Sequence, residues 1–139
     1  MRYWLVKSEP GNWSWEDHCK APKKTAEWDG VRNFLANKNM KAMKKGDCAF
    51  FYHSVKEKRI MGVVEVVKEH YPDPTDEKGK FGMVDFKVVC EAEHYVTLDE
   101  IKGTKGLEEM VLVKNSRLSV QPVAGSEWKI ICKMAKIKA

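Results

Sequence analysis

The pattern of apolar and polar positions first marks a pair of strands in the middle of the chain. After the turn signal Gly46-Asp47, an aromatic run from Cys48 to His53 is followed by a charged segment and then by a β-branched run that ends near Val67. Two β-prone runs joined by a short polar segment predict an antiparallel hairpin. Both strands carry apolar residues on both faces, which is typical of the wall of a small barrel covered by helices.

The remaining strands and helices are predicted from alternation, helical spacing and capping residues. Strands are predicted over residues 3–7, over 83–96 and over 117–121, where Pro122 closes the last one. Helices are predicted from the cap Ser14 to about residue 20, over 31–43, 98–102 and 107–110, and after Ser126. About five strands with short helices between them indicate a mixed α/β, mainly β, mostly antiparallel barrel in one domain, residues 1–139.

Composition restricts the class of protein. The 139 residues, 43% of them hydrophobic, suffice for one domain with a core. No apolar run approaches the roughly 20 residues of a membrane span, and the first residues do not resemble a signal peptide. The four cysteines lie far apart without a CxxC pair. We therefore expect free thiols, no metal, no cofactor and a cytoplasmic protein, or a nuclear one in a eukaryote.

Charge is distributed unevenly along the chain. Residues 1–68 carry 14 Lys and Arg against 8 Asp and Glu, residues 69–113 carry 5 against 11, and residues 114–139 carry 6 against 1. If the two basic ends meet in the fold, they form a basic face suited to a polyanion such as nucleic acid. Solvated lysines on helices explain the same charges without a partner, so charge alone leaves both interpretations open.

Motifs for catalysis are missing from the sequence. It contains no GxGxxG or GxxxxGK[ST] phosphate loop, no HExxH and no GxSxG. His18 and Cys19 are neighbours in sequence, so their side chains diverge and make a poor catalytic pair. The sequence therefore favours a binding protein without catalytic residues over an enzyme.

Trp28 is the most informative of the five tryptophans. It precedes Gly30 and stands beside Arg32 and Asn33 at the start of the predicted basic helix. Backbone N–H groups at a helix N-terminus attract anions, and an indole stacks on bases. This corner suits a base and its phosphate. A hydrophobic plug at a turn explains Trp28 equally well.

Five stretches of the sequence resemble the EVE domain family. They are residues 3–10, 28–33, 43–54, 71–75 and 117–123, in order over almost the whole chain. The resemblance implies a PUA-like pseudo-β-barrel of about five to six mostly antiparallel strands surrounded by short helices, related to PUA and YTH domains. It also implies binding of DNA or RNA through a modified base held in an aromatic pocket.

Carried over to matching positions, the resemblance implies a set of ligand-binding residues. They are Trp4, Lys7, Ser8, Trp28, Arg32, Asn33, Tyr52, His53, Ser54, Arg117, Ser119 and Gln121. In this hypothesis the base stacks on Trp28 or Trp4. Its polar edge meets Asn33, Ser54 or Gln121, and phosphates are held by Lys7, Arg32 and Arg117. Phe34-Leu35 departs from the more polar pair expected after Asn33.

Two other classes of function stay open at this point. Related PUA-like folds include ASCH-type amidohydrolases, and Lys7 with Glu9 or His53 would supply a base for hydrolysis of a modified nucleoside. The acidic middle segment, residues 69–113, would suit a protein-interaction module.

Overall fold

The computed structural model describes residues 1–137. Its strands are β1 (Tyr3–Ser8), β2 (Thr25–Glu27), β3 (Cys48–His53), β4 (Arg59–Pro72), β5 (Gly82–Thr97) and β6 (Val120–Val123). They form one sheet of order β2-β5-β4-β3-β1-β6, in which β1 and β3 are parallel and the other neighbours antiparallel. The predicted mainly β, mostly antiparallel fold is confirmed. The sheet is not closed, because within the described residues β2 and β6 remain its two edges.

Short helices pack around this sheet. Within residues 1–137 the α-helices are α1 (Trp15–Lys20), α2 (Phe34–Ala42), α3 (Leu98–Lys102), α4 (Val111–Lys114) and α5 (Gly125–Ala135). The hydroxyl of Ser14 accepts from the Asp17 N–H at 3.0 Å and caps α1. Thr97 caps α3 in the same way through the Glu100 N–H at 3.2 Å. The helices predicted from these capping residues are confirmed.

The predicted start of the basic helix at residue 31 is wrong. Asn33 is its N-cap, with a side-chain oxygen that accepts from the Ala36 N–H at 2.9 Å. Arg32 therefore lies before α2 and not in its first turn. Leu35 is 47% exposed, because the buried face of α2 is formed by Ala36, Asn37 and Met40.

Three further features of the secondary structure differ from the predictions. The short edge strand β2 was not predicted. Residues 107–110 form turns, and α4 begins only at Val111. The last strand covers Val120–Val123 and not residues 117–121. Pro122 stands inside that strand opposite Trp4, which an edge strand tolerates because one side of it needs no N–H donor.

Both faces of the sheet are covered, as the hairpin pattern predicts. Trp4 and Phe51 belong to a cluster on one face, whereas their chain neighbours Leu5 and Phe50 belong to a cluster on the other. Side chains alternate between the faces of a strand. Apolar residues at successive positions therefore signal a sheet packed on both sides.

The two basic ends of the chain meet in this fold, because β1 pairs antiparallel with β6. All four cysteines are free thiols. Within residues 1–137 no helix combines the length and hydropathy needed to cross a membrane. In the same part of the chain, no group of three or more His, Cys, Asp or Glu side chains is placed to hold a metal ion.

Candidate nucleic-acid interface

A cleft of about 470 Å³ opens between the end of β1 and the end of β2. One wall is formed by residues of the 7–13 segment, which leaves β1. The other is formed by residues 26–30, which leave β2. The cleft therefore lies where two strands of the sheet give way to loops, and it contains two indoles, those of Trp13 and Trp28.

Trp28 belongs to the core as much as to the cleft. Its backbone N–H donates to the Val84 carbonyl at 2.7 Å. Its ring meets Phe51 edge to face at 5.3 Å and 90°, and meets Phe86 in the same way at 5.6 Å. Only 7% of the residue is exposed. The plug interpretation thus describes its packing, and only a small part of the indole reaches the cleft.

Trp13 is the aromatic wall that the sequence reasoning missed. Its indole is half-buried, and Nε1 donates to Nδ1 of His18 at 3.0 Å. The His18 ring proton therefore lies on Nε2, which donates to the Phe86 carbonyl at 2.8 Å. Burial lowers the pKa of His18, which favours this neutral form. Trp13 is held in one orientation by a chain of hydrogen bonds that ends in the sheet.

Asp73 holds the turn that carries Trp28. Its buried carboxylate accepts from the Gly30 N–H at 2.8 Å, from Arg32 at 3.2 Å and from the Thr75 hydroxyl at 2.6 Å. Gly30 has φ of +77°, a conformation that favours glycine. Burial alone would raise the pKa of Asp73, but these hydrogen bonds outweigh it and lower the pKa to about 2. Residues 71–75, one of the family-like stretches, therefore fix this wall of the cleft.

The polar groups of the cleft are mainly acidic. Glu9, Glu27 and Asp29 line it together with Lys7. The Lys7 ammonium donates to the Ser116 carbonyl at 2.6 Å, and burial lowers its pKa. Burial raises the pKa of Asp29, and the nearby negative charges of Asp73 and Glu27 raise it further. Such a cleft suits a ligand that offers N–H donors and disfavours a phosphate.

Three of the predicted site residues line the cleft, namely Lys7, Ser8 and Trp28. The Ser8 hydroxyl donates to the Trp13 carbonyl and ties the two ends of one wall together. Ser54 lies in a neighbouring hollow of about 180 Å³. Glu9 lines both spaces.

Arg32 and Asn33 follow the cleft turn, but both have structural partners. Besides Asp73, the Arg32 guanidinium contacts the Thr75 hydroxyl at 2.8 Å, and Asn33 caps α2. Arg117 is exposed and Ser119 half-buried. The Ser119 carbonyl accepts from the Lys7 N–H at 2.8 Å, so the 116–119 segment runs beside Lys7.

Trp4 and Gln121 lie in the core and do not line the cleft, so their role in ligand binding stays a prediction. Trp4 is 1% exposed, and its Nε1 donates to Asp47 at 3.1 Å. Gln121 is fully buried, and its amide donates to the Leu118 carbonyl at 2.8 Å. Their strand positions turn both side chains into the core.

Tyr52 and His53 are buried as well, and their role in ligand binding also stays a prediction. Burial raises the pKa of Tyr52 to about 12. His53 Nε2 accepts from the Trp15 N–H at 2.9 Å, and its Nδ1 donates to Glu57 at 2.7 Å. Both ring nitrogens are thus occupied in joining β3 to α1 and to the hairpin loop.

A family model described as the EVE domain matches residues 2–134 of this chain. The chain belongs to the EVE domain family. The resemblance found in the sequence is confirmed. Mouse thymocyte nuclear protein 1 is 38% identical over an alignment that covers 93% of this chain and 71% of the mouse protein.

Solved structures share the whole EVE fold. A crystal structure from Agrobacterium tumefaciens is 44% identical with a TM-score of 0.94, over 99% of this chain and 94% of that one. The human THYN1 protein, crystallised in complex with DNA containing 5-methylcytosine, is 34% identical with a TM-score of 0.93 over 100% of both chains. The ASCH protein of Zymomonas mobilis, at 8% identity and a TM-score of 0.60, shows a similarity of fold alone.

Proposed function

We propose that this EVE domain binds DNA through a modified base, with 5-methylcytosine as the first base to test. The observation that carries the proposal is a cleft with two indoles and several carboxylates, whose composition suits a base better than a phosphate. The human THYN1 complex with 5-methylcytosine DNA, which matches this fold over its full length, supports the choice of nucleic acid and base. RNA with a modified base remains the alternative ligand.

In the proposed complex the base leaves the stack and enters the cleft edge first. Trp13, which is half-buried and fixed through His18, is the stacking surface. Trp28 closes the inner end. Unstacking costs a few kcal/mol in a duplex and least in a single strand, and stacking on an indole recovers roughly 1–3 kcal/mol per base.

The DNA backbone then lies on the rim of the cleft. Arg117 is exposed beside the Lys7 segment and is the proposed phosphate contact on that side. On the other side, the guanidinium of Arg32 lies 5.7 Å from the ring of Phe81, which packs on Phe34 at 4.9 Å. Phe34 is 68% exposed and is proposed to contact a neighbouring base.

We also propose that binding is not followed by catalysis. Two of the three side chains that would supply a base for hydrolysis have other partners: Lys7 donates to a backbone carbonyl, and both nitrogens of His53 are hydrogen-bonded. Turnover of a modified nucleoside that is lost in Lys7→Ala, in a variant that still folds, would reverse this conclusion. A cytoplasmic location, or a nuclear one in a eukaryotic cell, stays a prediction.

The test is a titration of single-stranded oligonucleotides that differ only in one cytosine or 5-methylcytosine, followed by fluorescence anisotropy. The wild type should bind the methylated strand more tightly. Trp13→Ala should weaken that binding by roughly 5- to 150-fold, the loss of one stacked base. Tyr95→Ala, which removes another half-buried aromatic outside the cleft, is the matched control. Equal binding by wild type and Trp13→Ala, or no binding at all, would overturn the proposal.

A further inference from the structure

We infer that Asp29 recognises the amino group at position 4 of the bound base and makes the cleft select a cytosine-type base over a thymine-type base. The inference rests on the proposed function, because it concerns the edge of the base that enters the cleft. It assigns specificity to one carboxylate.

The backbone on both sides of Asp29 is held in place. The preceding Trp28 N–H is bound to the Val84 carbonyl at 2.7 Å, and the following Gly30 N–H is bound to Asp73 at 2.8 Å. Asp29 therefore lies on a rigid turn and forms part of the cleft wall. Pre-positioned acceptors of this kind lose little entropy when a ligand binds.

The carboxylate of Asp29 is available to a ligand. It accepts a hydrogen bond from its own backbone N–H, and within residues 1–137 it forms no ion pair. The charged groups that face it are Glu27, Asp73 and Arg32. Asp73 is saturated with donors and pairs with Arg32, so Arg32 is already engaged. The nearby negative charges make an N–H donor from outside the more favourable partner.

The chemistry of the two pyrimidines then decides the preference. An ionised carboxylate only accepts hydrogen bonds. The amino group at N4 of cytosine donates, and Asp or Glu is a usual acceptor for it. Thymine has the acceptor O4 at that position. The Asp29 carboxylate and O4 would then face each other with no hydrogen to bond them. Because 5-methylcytosine and thymine share the ring and the 5-methyl group, only this edge separates them.

The experiment compares single-stranded oligonucleotides that carry either 5-methylcytosine or thymine at one central position. The wild type should prefer 5-methylcytosine by roughly tenfold or more, the range for one good base-edge contact. Asp29→Asn places an amide that both donates and accepts, so the preference should fall below about threefold or reverse. Asp29→Ala should lose the preference by weakening the 5-methylcytosine complex alone.

Glu93→Gln is the matched control, because it neutralises an exposed carboxylate that does not line the cleft. It should keep the wild-type preference. An unchanged preference in both Asp29 variants, or equal binding of the two oligonucleotides by the wild type, would overturn the role of Asp29 and leave the cleft as the binding site. Failure of the wild type to bind either oligonucleotide would instead overturn the proposed function.

Discussion

The indole of Trp28 meets the ring of Phe51 edge to face, with centroids 5.3 Å apart and planes at 90°. Aromatic pairs prefer this geometry, which adds to the burial of their surfaces. The contact ties the cleft wall to the centre of the sheet, since Phe51 is fully buried in β3.

Trp28→Ala should therefore lower the free energy of unfolding by about 3–5 kcal/mol, the usual cost of a truncated core aromatic. Trp28→Phe should lower it less, because a smaller ring still meets Phe51. Urea denaturation of both variants measures the effect. Trp13→Ala should cost less stability than Trp28→Ala, since Trp13 is only half-buried. An unchanged unfolding curve for Trp28→Ala, with binding lost, would show that the indole serves the ligand and not the core.

The elements of this fold could be predicted where a local pattern determines them. The hairpin, the long strand β5 and the caps Ser14 and Thr97 all depend on residues a few positions apart. The cleft could not be predicted in this way. The bond from Gly30 to Asp73 joins residues 43 apart, and the bond from His18 to Phe86 joins residues 68 apart. A repeating pattern of apolar and polar residues does not reveal contacts between residues so far apart in the sequence.

The burial of Trp4 and Gln121 could not be predicted for a related reason. Trp4 and Gln121 have the right chemistry for stacking and base-edge contacts, but β1 and β6 are covered on both faces. Residue type alone does not show that a strand has no exposed face. Arg32 is a comparable case, because its partner Asp73 comes from a loop that composition marks only as polar.

Asp73 should make the protein sensitive to acid. Its pKa is lowered from 3.8 in the unfolded chain to about 2 in the folded state. The ionised carboxylate therefore stabilises the fold fully above pH 3.8, and this stabilisation is lost as the pH falls from 3.8 to about 2. Asp73→Asn removes charged hydrogen bonds and should cost about 2 kcal/mol at neutral pH. The difference in stability between wild type and variant should shrink between pH 4 and pH 2.

Urea denaturation at a series of pH values checks this expectation. Other carboxylates titrate in both proteins and cancel in the difference. Asp99→Asn, which alters an exposed carboxylate, should change stability little at any pH. If the difference in the free energy of unfolding between wild type and Asp73→Asn stays constant down to pH 2, the stabilisation by Asp73 does not require its ionised form.

Phe34 should contribute to binding and not to folding. It is 68% exposed and lies on Phe81 beside the Arg32 segment. Phe34→Ala should leave the melting temperature nearly unchanged and weaken DNA binding by roughly 5-fold or more if the ring contacts a base. Val89→Ala, which truncates a residue 52% exposed on β5, is the control for exposed apolar surface. Equal affinities of Phe34→Ala and Val89→Ala would remove Phe34 from the interface.

The salt dependence of binding should show how many phosphates the protein contacts. Each neutralised phosphate contributes roughly −0.7 to the slope of log K against log salt for a single strand, so a few contacts give a slope of about −2 to −4. Arg117 is exposed, and its segment is joined to Lys7 through the Ser116 carbonyl at 2.6 Å. Arg117→Ala should therefore reduce the steepness by roughly one contact.

Lys129→Ala supplies the comparison, since it removes one positive charge from an exposed position of α5, and no residue of α5 lines the cleft. A diffuse attraction between a basic protein and DNA would make the two variants equal. A local contact would flatten the slope in Arg117→Ala only. A wild-type slope near zero would contradict the electrostatic argument altogether, because a strand held by its phosphates must release counterions when it binds.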